Sequence, residues 1–153
     1  MKTSLRFNNA VQKLYNAFHN HTLHPEDCKQ CAVGNILNNQ DFWKHLSDDH
    51  GSLTLNYVGL VNQKLGKRFN GFTPLELLQL ERTFLKGCGY QLPLHHKNHK
   101  PKNPTHPDTL FNGLQAVVSY MCKLDNIPDI MDCSSLFKFK SEKTSMRSLQ
   151  TIE

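Results

Sequence analysis

The stretch TPLELLQLERTFLKGCG, residues 73–89, decides the fold class. Thr73 offers a hydroxyl for an N-cap, and Pro74 suits the first helical position because it has no N–H to leave unpaired. Glu76 stands where a capping box needs its carboxylate. Leu75, Leu77, Leu78, Leu80, Phe84 and Leu85 follow, and Gly87-Cys88-Gly89 supplies the stop. The spacing predicts one helix from Pro74 to the glycines.

The same logic extends outward. Upstream, Leu53, Tyr57, Leu60, Val61 and Leu65 form a helical stripe that ends at Gly66-Lys67-Arg68, and Asn70-Gly71 is a turn. SDDHGS, residues 47–52, is another turn. Asp41 is placed to cap a short helix carrying Phe42, Trp43 and Leu46, with the tryptophan as a core anchor. At the start of the chain Phe7, Val11, Leu14 and Phe18 recur at helical spacing behind Ser4, a suitable cap.

Downstream, residues 90–107 form a basic, proline-broken loop with His95, His96, Lys97, His99, Lys100, Lys102 and His106. Thr105 or Asp108 then caps a helix carrying Leu110, Leu114, Val117, Met121 and Leu124, which Asn126-Ile127-Pro128 ends. A last short element takes in Ile130, Met131, Leu136, Phe137 and Phe139. Residues 141–153 are polar and read as a disordered tail. No segment alternates at the strand period. The expected fold is all-α, one domain over residues 1–140, with five to seven helices.

Composition narrows the function classes. A chain of 153 residues is long enough to bury a core without staples. No apolar run approaches the eighteen or so residues of a membrane span, and the N-terminus MKTSLRFNNAVQKL lacks the apolar core of a signal peptide. A cytoplasmic location is the expectation. Five cysteines without an export signal read as reduced thiols rather than a disulfide framework. A net charge of +5 and a pI near 9.0 permit an acidic partner such as nucleic acid.

Chemistry concentrates in residues 19–37, HNHTLHPEDCKQCAVGNIL, where His19, His21, His24, Cys28 and Cys31 crowd together. Pro25, Glu26 and Asp27 resemble the first turn of a helix. A helix from Pro25 would gather His24, Cys28 and Cys31 on one patch and point Cys31 away from the apolar stripe of Ala32, Val33, Ile36 and Leu37.

Three readings follow. In the first, His24, Cys28 and Cys31, with His21 as the fourth ligand, bind zinc in a structural or binding role, because two thiolates and imidazole are donors zinc prefers. Cys88, His95 and His96 are the distant candidates for that fourth place. In the second, the C-x-x-C pair does redox or nucleophilic chemistry, with thiolate favoured by the helix start and opposed by Glu26 and Asp27. In the third, Lys97, Lys100 and Lys102 contact the phosphates of a nucleic acid, with Tyr90 stacking on a base. Of the remaining thiols, Cys122 reads as core and Cys133 as half exposed. Cys88, between two glycines, reads as a thiol brought close to a neighbour.

The blocks KLYNAFHN, CKQCAVGNIL, WKHLSDDHGSL, FLKGCGYQLPLHHKN and LFNG resemble a short soluble family of flavobacteria and their relatives. The resemblance covers most of residues 1–139. Members are commonly labelled as the flavin- and NADH-binding component of the Na+-translocating NADH-quinone reductase. The full-size component of that name carries a four-cysteine ferredoxin site beside its flavin- and NADH-binding module. This chain has one C-x2-C and no glycine-rich dinucleotide loop after a strand. The resemblance is thus to the short family, and it assigns no reaction and no catalytic residue here.

Overall fold

Helix α1 (Leu5–His19) begins where its cap predicts: the Ser4 hydroxyl accepts from the Phe7 N–H at 3.2 Å. Its buried face carries Phe7, Ala10, Leu14, Ala17 and Phe18. The computed structural model describes residues 3–128 and 133–139.

The second helix does not start at Pro25. Helix α2 (Ala32–Ile36) begins seven residues later, and residues 24–30 fold into a closed loop. The Asp27 carboxylate accepts from the Lys29 N–H at 2.9 Å, and the Asp27 carbonyl accepts from Cys31 at 2.7 Å. The His24 N–H donates back to the Gln30 carbonyl at 2.8 Å and closes the loop. An aspartate that bonds the backbone two residues on offers the chain a turn in place of a helix, and here the turn wins. Cys31 is the true N-cap, its Sγ accepting from the Gly34 N–H at 3.4 Å.

A 3-10 helix (Phe42–Leu46) follows, without a side-chain cap from Asp41. Helix α3 (Tyr57–Lys64) starts at Asn56, whose Oδ1 accepts from Gly59 at 2.9 Å. Asn70 and Gly71, both at positive φ, make a tight turn closed by the Phe69–Phe72 bridge. Helix α4 (Pro74–Cys88) carries the predicted capping box in full, and Gly89 stops it in the left-handed region at φ +103°.

Helix α5 (Pro107–Leu124) is capped by neither Thr105 nor Asp108. The His106 ring nitrogen takes that role, accepting from the Asp108 N–H at 3.1 Å. Helix α6 (Cys133–Leu136) is the last described element. Ile130, Met131 and the expected tail at 141–153 lie outside the described residues.

The chain is all-α, with six α-helices and one 3-10 helix among the described residues. Helix α4 lies along α5, and glycine sets the approach: a Cβ on Gly113 would stand 2.5 Å from Cys88 Sγ. Cys88 is therefore packed against the neighbouring helix, and Cys122 is core as expected. Cys133 is buried rather than half exposed. Arg6 clasps both ends of the bundle, reaching Asp125 at 2.8 Å, Glu76 at 3.2 Å and the Gly71 carbonyl at 2.9 Å. Among the described residues no helix is long and apolar enough to cross a membrane.

Candidate metal centre

One group of side chains among the described residues could hold a metal ion: Cys31, His50 and Glu81, whose donor atoms all lie within 4.8 Å of one another. Each comes from a different segment. Cys31 caps α2, His50 sits in the 47–52 turn, and Glu81 projects from the middle of α4.

Glu81 is the centre of the arrangement. Its side chain is 1% exposed on the buried face of α4, one turn from Leu77 and from Phe84 and Leu85. Oε2 takes His50 Nε2 at 2.6 Å, and Oε1 accepts the Val33 N–H at 3.2 Å at the start of α2. A carboxylate in such a place needs partners, because an unpaired charge away from water is strongly unfavourable.

His50 is held from several sides. Its ring meets the Trp43 indole edge-on at 5.5 Å, and its carbonyl accepts from the Leu94 N–H at 2.9 Å. The Ser47 hydroxyl bridges the turn to the Thr54 carbonyl at 2.8 Å, and Arg82 reaches the Gly51 carbonyl at 3.3 Å. Burial pulls the imidazole pKa down, but the hydrogen bond and charge of Glu81 outweigh it and leave it raised. Cys31 is fully buried, and its thiol is held well above the ordinary value by burial and then by the Glu81 charge.

The set expected from sequence was His21, His24, Cys28 and Cys31, and only Cys31 belongs to the convergent group. Cys28 is close by: it lines a cleft of about 310 Å3 together with Trp43, Lys44, Asp48 and His50. Its carbonyl accepts from Trp43 Nε1 at 3.0 Å. Burial and the Glu81 charge push its thiol pKa up, which works against a thiolate nucleophile.

His24 is occupied locally, with Nδ1 accepting from the Glu26 N–H at 3.1 Å. His21 lies on another cleft with Phe18, His19, Leu23 and Leu110. His95 and His96 stack on each other at 4.3 Å beside Glu26 and Tyr90. Lys97, Lys100 and Lys102 are exposed on the 90–106 loop.

Two members of the group escape a reading of the sequence for cysteine and histidine spacing. His50 sits in a polar turn without periodicity. Glu81 did leave a signal, since it is an acidic residue on the apolar stripe of the clearest helix in the chain. No protein-family profile matches this chain, and no curated protein or solved structure matches it either.

Proposed function

We propose that the chain binds one zinc ion at Cys31, His50 and Glu81, with Cys28 as the fourth ligand. The observation that carries this reading is the convergence of thiol, imidazole and carboxylate from three segments at a buried point. Thiolate, imidazole and carboxylate are the donors zinc takes, in tetrahedral sites with bonds of about 2.0–2.3 Å. Donors in such a cage stand roughly 3.3–3.8 Å apart, so His50 and Glu81 separate by about an ångström as the ion replaces the proton between them. Cys28 supports the assignment because it lines the cleft beside His50.

The charge balance favours a dication. The Cys31 thiolate and the Glu81 carboxylate neutralise it where neither anion is comfortable alone. The role is structural: the ion ties the start of α2, the 47–52 turn and α4 into one unit. The Trp43 indole and the backbone bond from Leu94 hold the histidine in place. The proposal includes a reducing, cytoplasmic setting, in which the thiols stay available, and membership of the short family that the sequence resembles. It assigns no substrate.

The test is metal content and zinc affinity of untagged protein. About one zinc per chain is expected, lost in Cys31→Ser and His50→Gln and retained in His21→Ala and His24→Ala. A parent protein that carries no zinc and fails to compete with a chromogenic chelator overturns the reading, and Glu81 is then a metal-free polar anchor.

A further inference from the structure

Helix α3 is amphipathic in the wrong direction for a core helix. Tyr57 is 81% exposed, Leu65 68%, Val58 49%, Leu60 47% and Val61 38%. The face turned inward is small and polar: Gly59 is the one buried residue of the helix. A Cβ on Gly59 would stand 2.3 Å from the Leu46 carbonyl oxygen.

The helix is fastened by polar groups at both ends. Asn56 Nδ2 donates to the His45 carbonyl at 2.8 Å, and Gln63 Oε1 accepts from the Leu75 N–H at 2.9 Å. Leu75, 45% exposed, continues the apolar face onto α4. Taking roughly 200 Å2 for each residue's full area, these six apolar residues present on the order of 650 Å2. That exceeds the few hundred Å2 a monomer usually leaves open, and with a polar rim it approaches the roughly 800 Å2 each partner gives a standard interface.

The charges at the rim choose the occupant. The N-terminal end of the patch is acidic, with exposed Asp48 and Asp49, and the Asp48 carboxylate touches the capping residue Asn56 at 3.3 Å. The C-terminal end is basic, with exposed Lys64 and Lys67. A surface that is acidic at one end, basic at the other and apolar between is complementary to itself turned through 180°. An anionic lipid surface would meet Asp48 and Asp49 unfavourably.

We infer that the exposed face of α3 is the interface of a two-fold homodimer. The two α3 helices run antiparallel with Val61 near the axis, Tyr57 of each copy packs on Leu65 of the other, and Asp48 faces Lys67 twice.

Light scattering and sedimentation of the full chain across the micromolar range test this. The parent is expected to dimerise. Leu60→Glu and Leu65→Glu are expected to weaken the dimer at least about 30-fold, since a buried anchor at an interface is worth about 2 kcal/mol or more. Both sites are exposed in the monomer, so the circular dichroism spectrum stays that of the parent. Asp48→Lys and Lys67→Glu are each expected to weaken self-association. Mixed together they form a one-to-one heterodimer, because both rim contacts then pair opposite charges. A parent that stays monomeric at the highest concentration, a dimer untouched by the leucine variants, or a mixture that fails to pair overturns the inference. A monomeric parent that floats with anionic phosphatidylglycerol vesicles would give the face to lipid instead.

Discussion

Glu81 Oε2 lies 2.6 Å from His50 Nε2, so a carboxylate in the middle of α4 holds an imidazole from a turn well before it in the chain. The same carboxylate caps the first N–H groups of α2 through Val33. One side chain therefore fixes the mutual position of three segments. Glu81→Ala leaves both His50 and Val33 without that partner. In chelator-treated protein, urea unfolding is expected to show a loss of about 3 kcal/mol. Glu81→Gln keeps an acceptor for Val33 and loses less.

Cys31 separates ligand chemistry from folding. Serine is a better N-cap than cysteine and nearly the same size. Cys31→Ser should therefore match the parent to within about 1 kcal/mol in chelator while losing zinc binding. Cys31→Ala removes the cap as well and should fall about 1 kcal/mol below the serine variant. Parallel chelator titration and thermal unfolding read both quantities.

Gly34 gives a test by sign. Glycine to alanine inside an exposed helix normally stabilises by up to about 1 kcal/mol. At Gly34 a Cβ would stand 2.3 Å from the Cys28 carbonyl oxygen, because the closed loop lies directly on α2. Gly34→Ala is expected to destabilise by about 3 kcal/mol. If α2 instead continued upstream through Pro25, the substitution would help.

Arg6 is not replaceable by another cation. Its guanidinium serves Asp125, Glu76 and the Gly71 carbonyl at once and lies 5.0 Å from the centre of the Phe72 ring. Lysine cannot reproduce that fork. Arg6→Ala and Arg6→Lys should both lose about 2 kcal/mol in denaturant unfolding, and a lysine variant equal to the parent would contradict this account.

The helices were legible wherever a cap announced them. Ser4 and the Thr73–Glu76 box gave correct starts because their side chains have one strong use there. Pro25-Glu26-Asp27 misled for the same reason in reverse: those residue types also build turns, and the Asp27 carboxylate chose the Lys29 N–H. Cys31 went unrecognised as a cap, and a helical wheel drawn from Pro25 pointed it away from the core it occupies. Periodicity found the stripe on α3 correctly but could not give its direction. Spacing says which residues share a face, and contacts such as Gly59 on the Leu46 carbonyl decide which face turns inward. The metal group was half visible. His50 carried no pattern, whereas Glu81 on a leucine stripe was a buried charge written into the sequence.

The Arg6–Asp125 clasp has a kinetic meaning. Its partners are 119 residues apart, joining the first helix to the end of α5. A contact of that separation forms only after most of the intervening chain has been ordered, because the loop it closes carries a large entropy until then. It belongs to the last stage of assembly and the first stage of opening. Loosening it should leave the refolding rate near the parent's and raise the unfolding rate, so the clasp sets how long a folded molecule lasts more than how quickly one is made.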